Sequence, residues 1–117
     1  MQFILMCCID ETHWAKIPQP QRDRIMDDYG RLIHELKTTG QLRGGGKLDR
    51  SAAAVTVRES SGQPAITDGP FAETKEQLGG YHLIDCKDRD EAVAIALRIP
   101  TLAVGGTIEV RPLLWME

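Results

Sequence analysis

The sequence predicts an α+β domain with a mainly antiparallel sheet and two helices on one sheet face. Segments with strand and helix patterns alternate in the order β-α-β, a hairpin, β-α-β. Two βαβ-like halves of this kind are typical of a ferredoxin-like fold. The length of 117 residues, of which 42% are apolar and 26% charged, suits a single domain over residues 1–117 with one modest core.

The first half begins with a strand and a helix. Residues 2–9 are apolar at both alternating sets of positions, which predicts a strand covered on both faces. Residues 10–20 are expected to form a loop, in which His13 and Trp14 either cap a cleft or lie on a mobile surface. Apolar residues then recur at helical spacing over residues 21–39, which predicts an amphipathic helix.

Turn signals divide the middle of the chain. The glycines within residues 41–48 predict a short, irregular strand with a bulge or turn. Residues 53–59 and 63–67 flank the Ser60-Ser61-Gly62 segment, which predicts a hairpin. A further turn is expected at Asp68-Gly69-Pro70.

The last third repeats the strand–helix–strand pattern. Residues 71–78 are polar and are expected to form a loop before a strand over residues 81–86. Asp88, with an acidic residue three positions on, predicts the start of a second helix, which Pro100 ends. The final strand is expected over residues 107–115.

The predicted first and last strands carry apolar residues on both sides. In a sheet with both helices on one face, the other face would then present apolar side chains to water. An exposed apolar face of this kind usually marks an interface. A second copy of the same sheet is the simplest cover, so we expect a homodimer.

Composition excludes several classes of protein. The net charge of −3 argues against a direct nucleic-acid binder, which usually has a basic face. The longest apolar run, residues 3–9, is far below the roughly 20 residues of a membrane span. The N-terminus has neither a basic region nor a cleavage site of a signal peptide. A cytoplasmic location is therefore expected.

The three cysteines do not form the pattern of a disulfide framework. Cys7 and Cys8 are neighbours in a predicted strand, so their side chains point to opposite faces and cannot hold one metal ion. Their apolar surroundings favour buried structural thiols. The sequence also lacks a phosphate loop, a dinucleotide fingerprint, a nucleophile elbow and zinc-ligand spacing, so no metal or cofactor is expected.

A run of fifteen residues identifies a relationship. Residues 67–81, TDGPFAETKEQLGGY, resemble the signature of the DGPF proteins within the YCII-related family. Further matches lie at residues 56–58 and 108–112, so the resemblance covers nearly the whole chain. It implies a ferredoxin-like fold that forms dimers with a cleft between the sheets.

The resemblance implies less about function. The family is uncharacterised, a His and Asp pair has been suggested to act in catalysis, and members are often associated with extracytoplasmic-function sigma factors. In the shorter YCII branch the suggested histidine lies near the first helix. Here that helix offers only His34, which is predicted to face solvent, so we transfer no catalytic role to it.

Asp68 and His82 are the candidate catalytic residues. The Asp68 carboxylate suits either an Asx-type turn before Gly69 or an acid–base or ligand-binding group at a strand end. His82 alternates with Ile84 and Cys86 on one strand face. This position suits a hydrogen-bonded core residue or a general acid–base. Their spacing does not show whether the two residues meet.

Tyr29, Phe71, Lys75 and Arg111 are the candidate ligand-binding residues. Lys75 and Arg111 suit an anionic group, because arginine binds carboxylates in bidentate fashion; Lys75 also fits a solvated loop. Tyr29 lies on the apolar stripe of the first predicted helix, where its hydroxyl can reach a polar partner.

Two functions are consistent with these observations. The first is a small-molecule-binding homodimer with cofactor-free acid–base catalysis at Asp68 and His82. The second is a protein-interaction or regulatory module that acts with a sigma factor. The sequence alone specifies no substrate.

Overall fold

A computed structural model of the chain describes residues 1–115. Six strands and three α-helices follow one another within this range. In chain order they are β1 (Gln2–Ile9), α1 (Glu11–Lys16), α2 (Gln19–Thr38), β2 (Leu42–Lys47), β3 (Val55–Ser60), β4 (Gln63–Asp68), β5 (Gln77–Asp85), α3 (Arg89–Ala96) and β6 (Thr107–Pro112). Short 3₁₀ turns lie at Ser51–Ala53 and Pro100–Val104.

The main sheet has the strand order β2-β5-β1-β6, and each neighbouring pair is antiparallel. Strands β3 and β4 form a separate two-stranded sheet. Without that hairpin the chain runs β-α-β-β-α-β, and its first and third strands occupy the centre of the sheet. This arrangement confirms the predicted ferredoxin-like α+β fold.

The core lies between one face of this sheet and helices α2 and α3. Side chains alternate across a strand, and Phe3 and Leu5 of β1 are only 1% exposed. Ile84 of β5, the register partner of Phe3, is fully buried. Leu32 and Leu36 of α2 pack against the same cluster, so the apolar stripe of the predicted helix is its core-facing side.

Within residues 1–115, no helix covers the opposite sheet face. Ile4 and Met6 of β1 are half-buried there, opposite Leu83 and Tyr81 of β5. The first strand is therefore apolar on both faces, as predicted, but only one face is fully buried within the chain.

Residues 10–20 are not a loop, contrary to prediction. They contain α1, whose first turn is capped by the Asp10 carboxylate, which accepts hydrogen bonds from the backbone N–H groups of Thr12 and His13. An aspartate at this position stabilises a helix start. The helix has only six residues, too few for apolar periodicity to reveal it.

Three strand and helix bounds differ from prediction by three residues or more. Strand β5 begins at Gln77 because a bulge lets it pair with β1 as far as Ile9. Strand β6 ends at Pro112, where proline cannot donate to a ladder, and Trp115 beyond it is 73% exposed. Helix α3 ends at Ala96, before the 3₁₀ turn that Pro100 begins.

The β3–β4 hairpin projects from the main body. Its two-residue turn places Ser61 and Gly62 at positive φ, 51° and 77°, as a type I′ turn requires. The radius of gyration is 16.0 Å, above the roughly 13 Å of a compact chain of this length. The long dimension of 48 Å against a thickness of 19 Å agrees with an extended arm.

No helix among residues 1–115 combines the length and apolar character that a bilayer span requires.

Leu36→Ala should destabilise the fold by about 2–5 kcal/mol, because it removes buried methyl groups and leaves a cavity. Leu36 is 2% exposed, whereas Leu97 is 70% exposed. Leu97→Ala is therefore the matched control and should change the unfolding free energy by less than about 1 kcal/mol. Urea unfolding measures both free energies, provided that the dependence of the unfolding free energy on urea concentration has the same slope in each variant. Equal losses in the two variants would contradict this placement of the core.

Candidate functional site

A cavity of about 820 Å³ opens between α2 and the strands β2 and β5. This volume lies within the roughly 300–1,000 Å³ of typical small-molecule sites. Met26 and Ile33 of α2 supply apolar wall on the helix side, and Trp14 of α1 supplies an aromatic ring. We refer to this cavity as the cleft.

The sheet side of the cleft is made by glycines 44–46 of β2. Gly45 has φ +155° and a Cβ there would lie 2.6 Å from the Tyr81 carbonyl oxygen. The same Cβ would lie 3.1 Å from His82 Nδ1. Glycine at position 45 is therefore required by the backbone, and it leaves one edge of the His82 ring uncovered.

Three polar side chains form a chain of hydrogen bonds at the wall of the cleft. The Tyr29 hydroxyl lies 2.5 Å from His82 Nε2 and 3.3 Å from the Cys7 Sγ. The tyrosine and imidazole rings are tilted by 56° with centroids 5.5 Å apart. We call this group the Cys7–Tyr29–His82 relay.

Strand register and helix periodicity bring the relay together. His82 pairs with Leu5 across β5 and β1, so it lies on the helix-facing side of the sheet with Cys7. Tyr29 lies one helical turn from the buried Ile25 and Leu32 of α2. The same patterns that build the core thus place three polar groups at its edge.

Burial keeps the relay uncharged near neutral pH. It lowers the pKa of His82 below 6.5, because desolvation disfavours the imidazolium ion. Burial likewise raises the pKa of the Cys7 thiol, and the hydrogen bond between Cys7 and Tyr29 opposes this only in part. The pKa of Tyr29 is also raised, mainly by burial.

A neutral relay can exist in two proton arrangements. The Tyr29 hydroxyl can donate to His82 Nε2, or it can accept from a protonated Nε2. His82 Nδ1 has no hydrogen-bond partner within residues 1–115 and is not sealed from solvent. This nitrogen is consequently available to a ligand as a donor in one tautomer and as an acceptor in the other.

The rim of the cleft is rich in basic residues. None of its four cations forms an ion pair with another residue in the described part of the chain. Among the described residues of the lining, the acidic groups are Glu11 and Asp49, and both carboxylates accept hydrogen bonds from backbone N–H groups. The four cations are Lys37, Arg43, Lys47 and Arg50.

The structure brings two of the sequence-predicted site residues together, His82 and Tyr29. It does not bring Asp68 to them within one chain. Asp68 ends β4 on the separate hairpin sheet and does not line the cleft. Its carboxylate makes no hydrogen bond within residues 1–115, so the expected Asx turn is not formed. The Gly69 N–H instead donates to the Ala54 carbonyl at 2.7 Å.

The remaining candidates also lie outside the cleft lining. Phe71 is 78% exposed, and Lys75 is exposed in the segment between β4 and β5. Arg111 lies on β6, opposite Ile4 on the sheet face without helices, and pairs with Glu109. His34 is exposed, which confirms the prediction that it faces solvent.

Sequence reasoning overlooked two contributors to the cleft, Cys7 and the basic residues, and gave capping of a cleft as one of two alternatives for Trp14, which does line the cleft. Cys7 was expected to be a structural thiol, because no pattern indicates that a tyrosine from a distant helix reaches it. Trp14 is placed by α1, which only the Asp10 capping signal could have revealed. The basic residues at positions 43, 47 and 50 surround the glycine run, and that combination was the available signal for a charged rim.

Among residues 1–115, no three His, Cys, Asp or Glu side chains converge as a metal site would require.

Comparison with known proteins identifies the family. The profile of the YCII-related domain matches residues 1–117. The chain belongs to the YCII-related family. An uncharacterised protein of Rhizobium meliloti (strain 1021) is 37% identical over 114 residues, which cover 97% of this chain and 92% of that protein.

A solved structure is similar at the level of the fold. It is the 5-chloro-2-hydroxyhydroquinone dehydrochlorinase TftG from Burkholderia phenoliruptrix AC1100, in complex with 2,5-dihydroxybenzoquinone. The two chains are 16% identical with a TM-score of 0.48, and the match covers 97% of this chain and 93% of that one. A likeness this distant has no bearing on the chemistry of the YCII-related protein described here.

Acidification should destabilise the protein through His82. The unfolded chain binds a proton near the ordinary histidine pKa of about 6.5, whereas burial lowers the pKa of His82 in the folded chain. The contribution of His82 to the free energy of unfolding is therefore fully present above about pH 6.5. It is lost as the pH falls from there to the lowered pKa of the folded chain, by at most about 1.4 kcal/mol per pH unit.

Urea unfolding between pH 8 and pH 5 measures this loss. His82→Gln should flatten the profile, and the matched control His34→Gln, on the exposed side of α2, should keep it. An unchanged profile in His82→Gln would show that His82 does not couple folding to protonation.

Proposed function

We propose that this YCII-related protein binds a small organic molecule in the cleft and carries out cofactor-free acid–base chemistry on it at His82. One observation supports this most: an imidazole fixed by a 2.5 Å hydrogen bond from or to Tyr29 lines a cavity of about 820 Å³, and its second nitrogen makes no hydrogen bond within residues 1–115. A general base must be deprotonated at working pH and positioned within hydrogen-bond reach of its proton.

The proposed chemistry is proton transfer within one ligand. His82 Nδ1 takes a proton from an acidic C–H or O–H of the ligand and returns it to another atom, so no other reactant is consumed. The imidazolium formed meanwhile donates its Nε2 proton to the Tyr29 oxygen, which stabilises the charge. Tyr29 then acts as a positioning residue for His82.

Asp68 can take part in the proposed chemistry only if two copies of the chain associate. It lies on the projecting hairpin and outside the cleft of its own chain. A catalytic Asp68–His82 pair, as suggested by the sequence, therefore requires the hairpin of a second copy to reach the cleft. His82 with Tyr29 needs no such partner.

We also propose that the protein is a homodimer. Ile4, Met6 and Leu83 lie half-buried on the sheet face that carries no helix. On the hairpin, the opposed Val57 and Ile66 are 70% and 72% exposed. An isolated two-stranded hairpin is marginal in water, and contact with a second chain would stabilise it.

The hairpin also favours a second candidate function. An exposed apolar strand face can bind another protein, and the association of related proteins with sigma factors suggests an interaction or regulatory module that acts with one. This candidate requires a large apolar patch that is still free in the assembled protein.

Sedimentation equilibrium should find a dimer of the intact chain. Met6→Lys puts a charge on the helix-free sheet face and should weaken association, whereas Lys87→Met, at an exposed position before α3, should not. Val57→Lys tests the hairpin separately. A wild-type monomer would contradict the dimer. If Val57→Lys leaves a dimer intact, the apolar hairpin face is available to a different protein.

A ligand should be detectable by thermal shift against a panel of organic acids, alcohols and ketones. At about 100 times its dissociation constant a ligand adds roughly 2.7 kcal/mol of stability, which raises the melting temperature by several degrees. His82→Gln and Tyr29→Phe should reduce that shift, and turnover should fall most in His82→Gln.

Asp68→Asn is the informative comparison for this experiment. A retained shift and turnover in folded Asp68→Asn would locate the chemistry in the cleft of one chain. Loss of the thermal shift and turnover in folded Asp68→Asn would indicate that the hairpin of a second copy contributes to the site. A hit that survives in His82→Gln with full turnover would refute His82 as the base.

A further inference from the structure

We infer that the cleft selects a small organic anion with an apolar body, held at its acidic group by the cations of the rim. This inference rests on the proposed function, because it names the class of ligand for the same site. It moves the expected anion-binding role from Lys75 and Arg111 to Arg43, Lys47, Arg50 and Lys37.

Positive charge is concentrated around the cleft. The whole chain has 14 basic and 17 acidic residues, yet the lining of the cleft has four cations and two carboxylates. Among the lysines and arginines of the described chain, only Arg31, Arg98 and Arg111 pair with a carboxylate, so the rim is distinguished by four cations at one cavity rather than by their lack of partners. The cations at the rim have no such partner, so their charge is available to a ligand.

The two rim carboxylates lower the net charge of the lining from +4 to +2, and their hydrogen bonds go to other groups than the rim cations' side chains. Glu11 accepts from the Ser51 N–H at 2.8 Å and from the Ser51 hydroxyl at 3.0 Å. Asp49 accepts from the Arg50 N–H at 2.7 Å. Both hold the segment after β2 in place, which fixes the backbone that carries Arg50.

The interior of the cleft determines the rest of the ligand. Met26, Ile33 and Leu42 line it together with the Trp14 ring, and these surfaces favour apolar or aromatic carbon. Gly45 leaves the backbone of β2 uncovered beside His82 on this side of the sheet, which suits a flat group lying against the strand. The relay supplies a polar contact for a second functional group of the ligand.

A carboxylate fits this rim best. Arg43 and Arg50 carry planar guanidinium groups, which bind carboxylates through two parallel hydrogen bonds. A phosphate or sulfonate ester would use the same cations, so the charge is the shared requirement. The apolar walls distinguish such a ligand from inorganic phosphate, which has no carbon body to bury.

Three probes of one size test the inference: 2-naphthoate, 2-naphthamide and 2-naphthylmethylammonium. Binding is followed by the fluorescence of Trp14, which lines the cleft, in a Trp115→Phe background, since the chain has two tryptophans. Charge-assisted hydrogen bonds contribute about 1.5–3 kcal/mol, so naphthoate should bind about 10–100-fold more tightly than the amide. The ammonium probe should bind weakest.

Matched variants identify the cations. Arg43→Gln and Arg50→Gln should each weaken naphthoate binding while leaving naphthamide binding unchanged. Arg111→Gln, on the far sheet face, should leave both unchanged. Raising the salt from 0.1 M to 1 M shortens the Debye length from about 10 Å to about 3 Å, and should weaken naphthoate binding alone.

The outcomes separate this inference from the proposed function. Equal binding of the carboxylate and the amide would overturn the anion preference and leave the cleft as a ligand site. Loss of naphthoate binding in Arg111→Gln but not in Arg43→Gln or Arg50→Gln would place the anion site on the other face and overturn it as well. Failure of all three probes to quench Trp14 would overturn the inference, whereas the panel screen with His82→Gln judges the proposed function independently.

Discussion

The antiparallel register between β1 and β5 determines both the core and the site. Opposed residues share a sheet face, so the pairing that buries Phe3 against Ile84 also places His82 beside Leu5 on the helix side. A shift of one residue would turn every one of these side chains to the opposite face. Because burial of the apolar members fixes the register, the position of His82 follows from hydrophobic packing.

The relay lies where this packing ends. Toward Ile84 the sheet is covered completely, while toward Gly80 and β2 the cover from α2 gives way to the cleft. A polar group fully inside the core would need all its hydrogen bonds satisfied by protein. At the edge, Tyr29 satisfies His82 Nε2 and the second nitrogen remains accessible. Partial burial thus provides a lowered pKa and ligand access in one residue.

Patterns of period two and period 3.6 predicted the parts of the site that belong to regular elements. The face of His82 followed from its alternation with Ile84 and Cys86, and the stripe on the first helix predicted that Tyr29 would point inward with its hydroxyl at a polar partner. The pairing of these two residues was not predictable, since neither pattern gives the relative placement of a helix and a strand. For a related reason, the sequence left open whether Asp68 meets His82. Its hairpin forms a separate sheet, and no local signal specifies where such an arm lies.

The glycines of β2 connect the fold to the chemistry proposed for the cleft. Glycine weakens a strand by roughly 0.5–1 kcal/mol relative to alanine, so three in succession need a physical reason. At Gly45 the reason lies in the backbone, since a Cβ would collide with the Tyr81 carbonyl oxygen and crowd His82 Nδ1. At Gly44 and Gly46 a Cβ would meet only ordinary contacts, at 3.4 Å from Leu83 and 3.6 Å from the Tyr81 ring. The fold itself therefore demands one glycine of the three, and it is the one on the cleft side. A Cβ at Gly44 or Gly46 would lie beside Leu83 or Tyr81 on the helix-free face, so the cleft does not require these two glycines and nothing within residues 1–115 explains them.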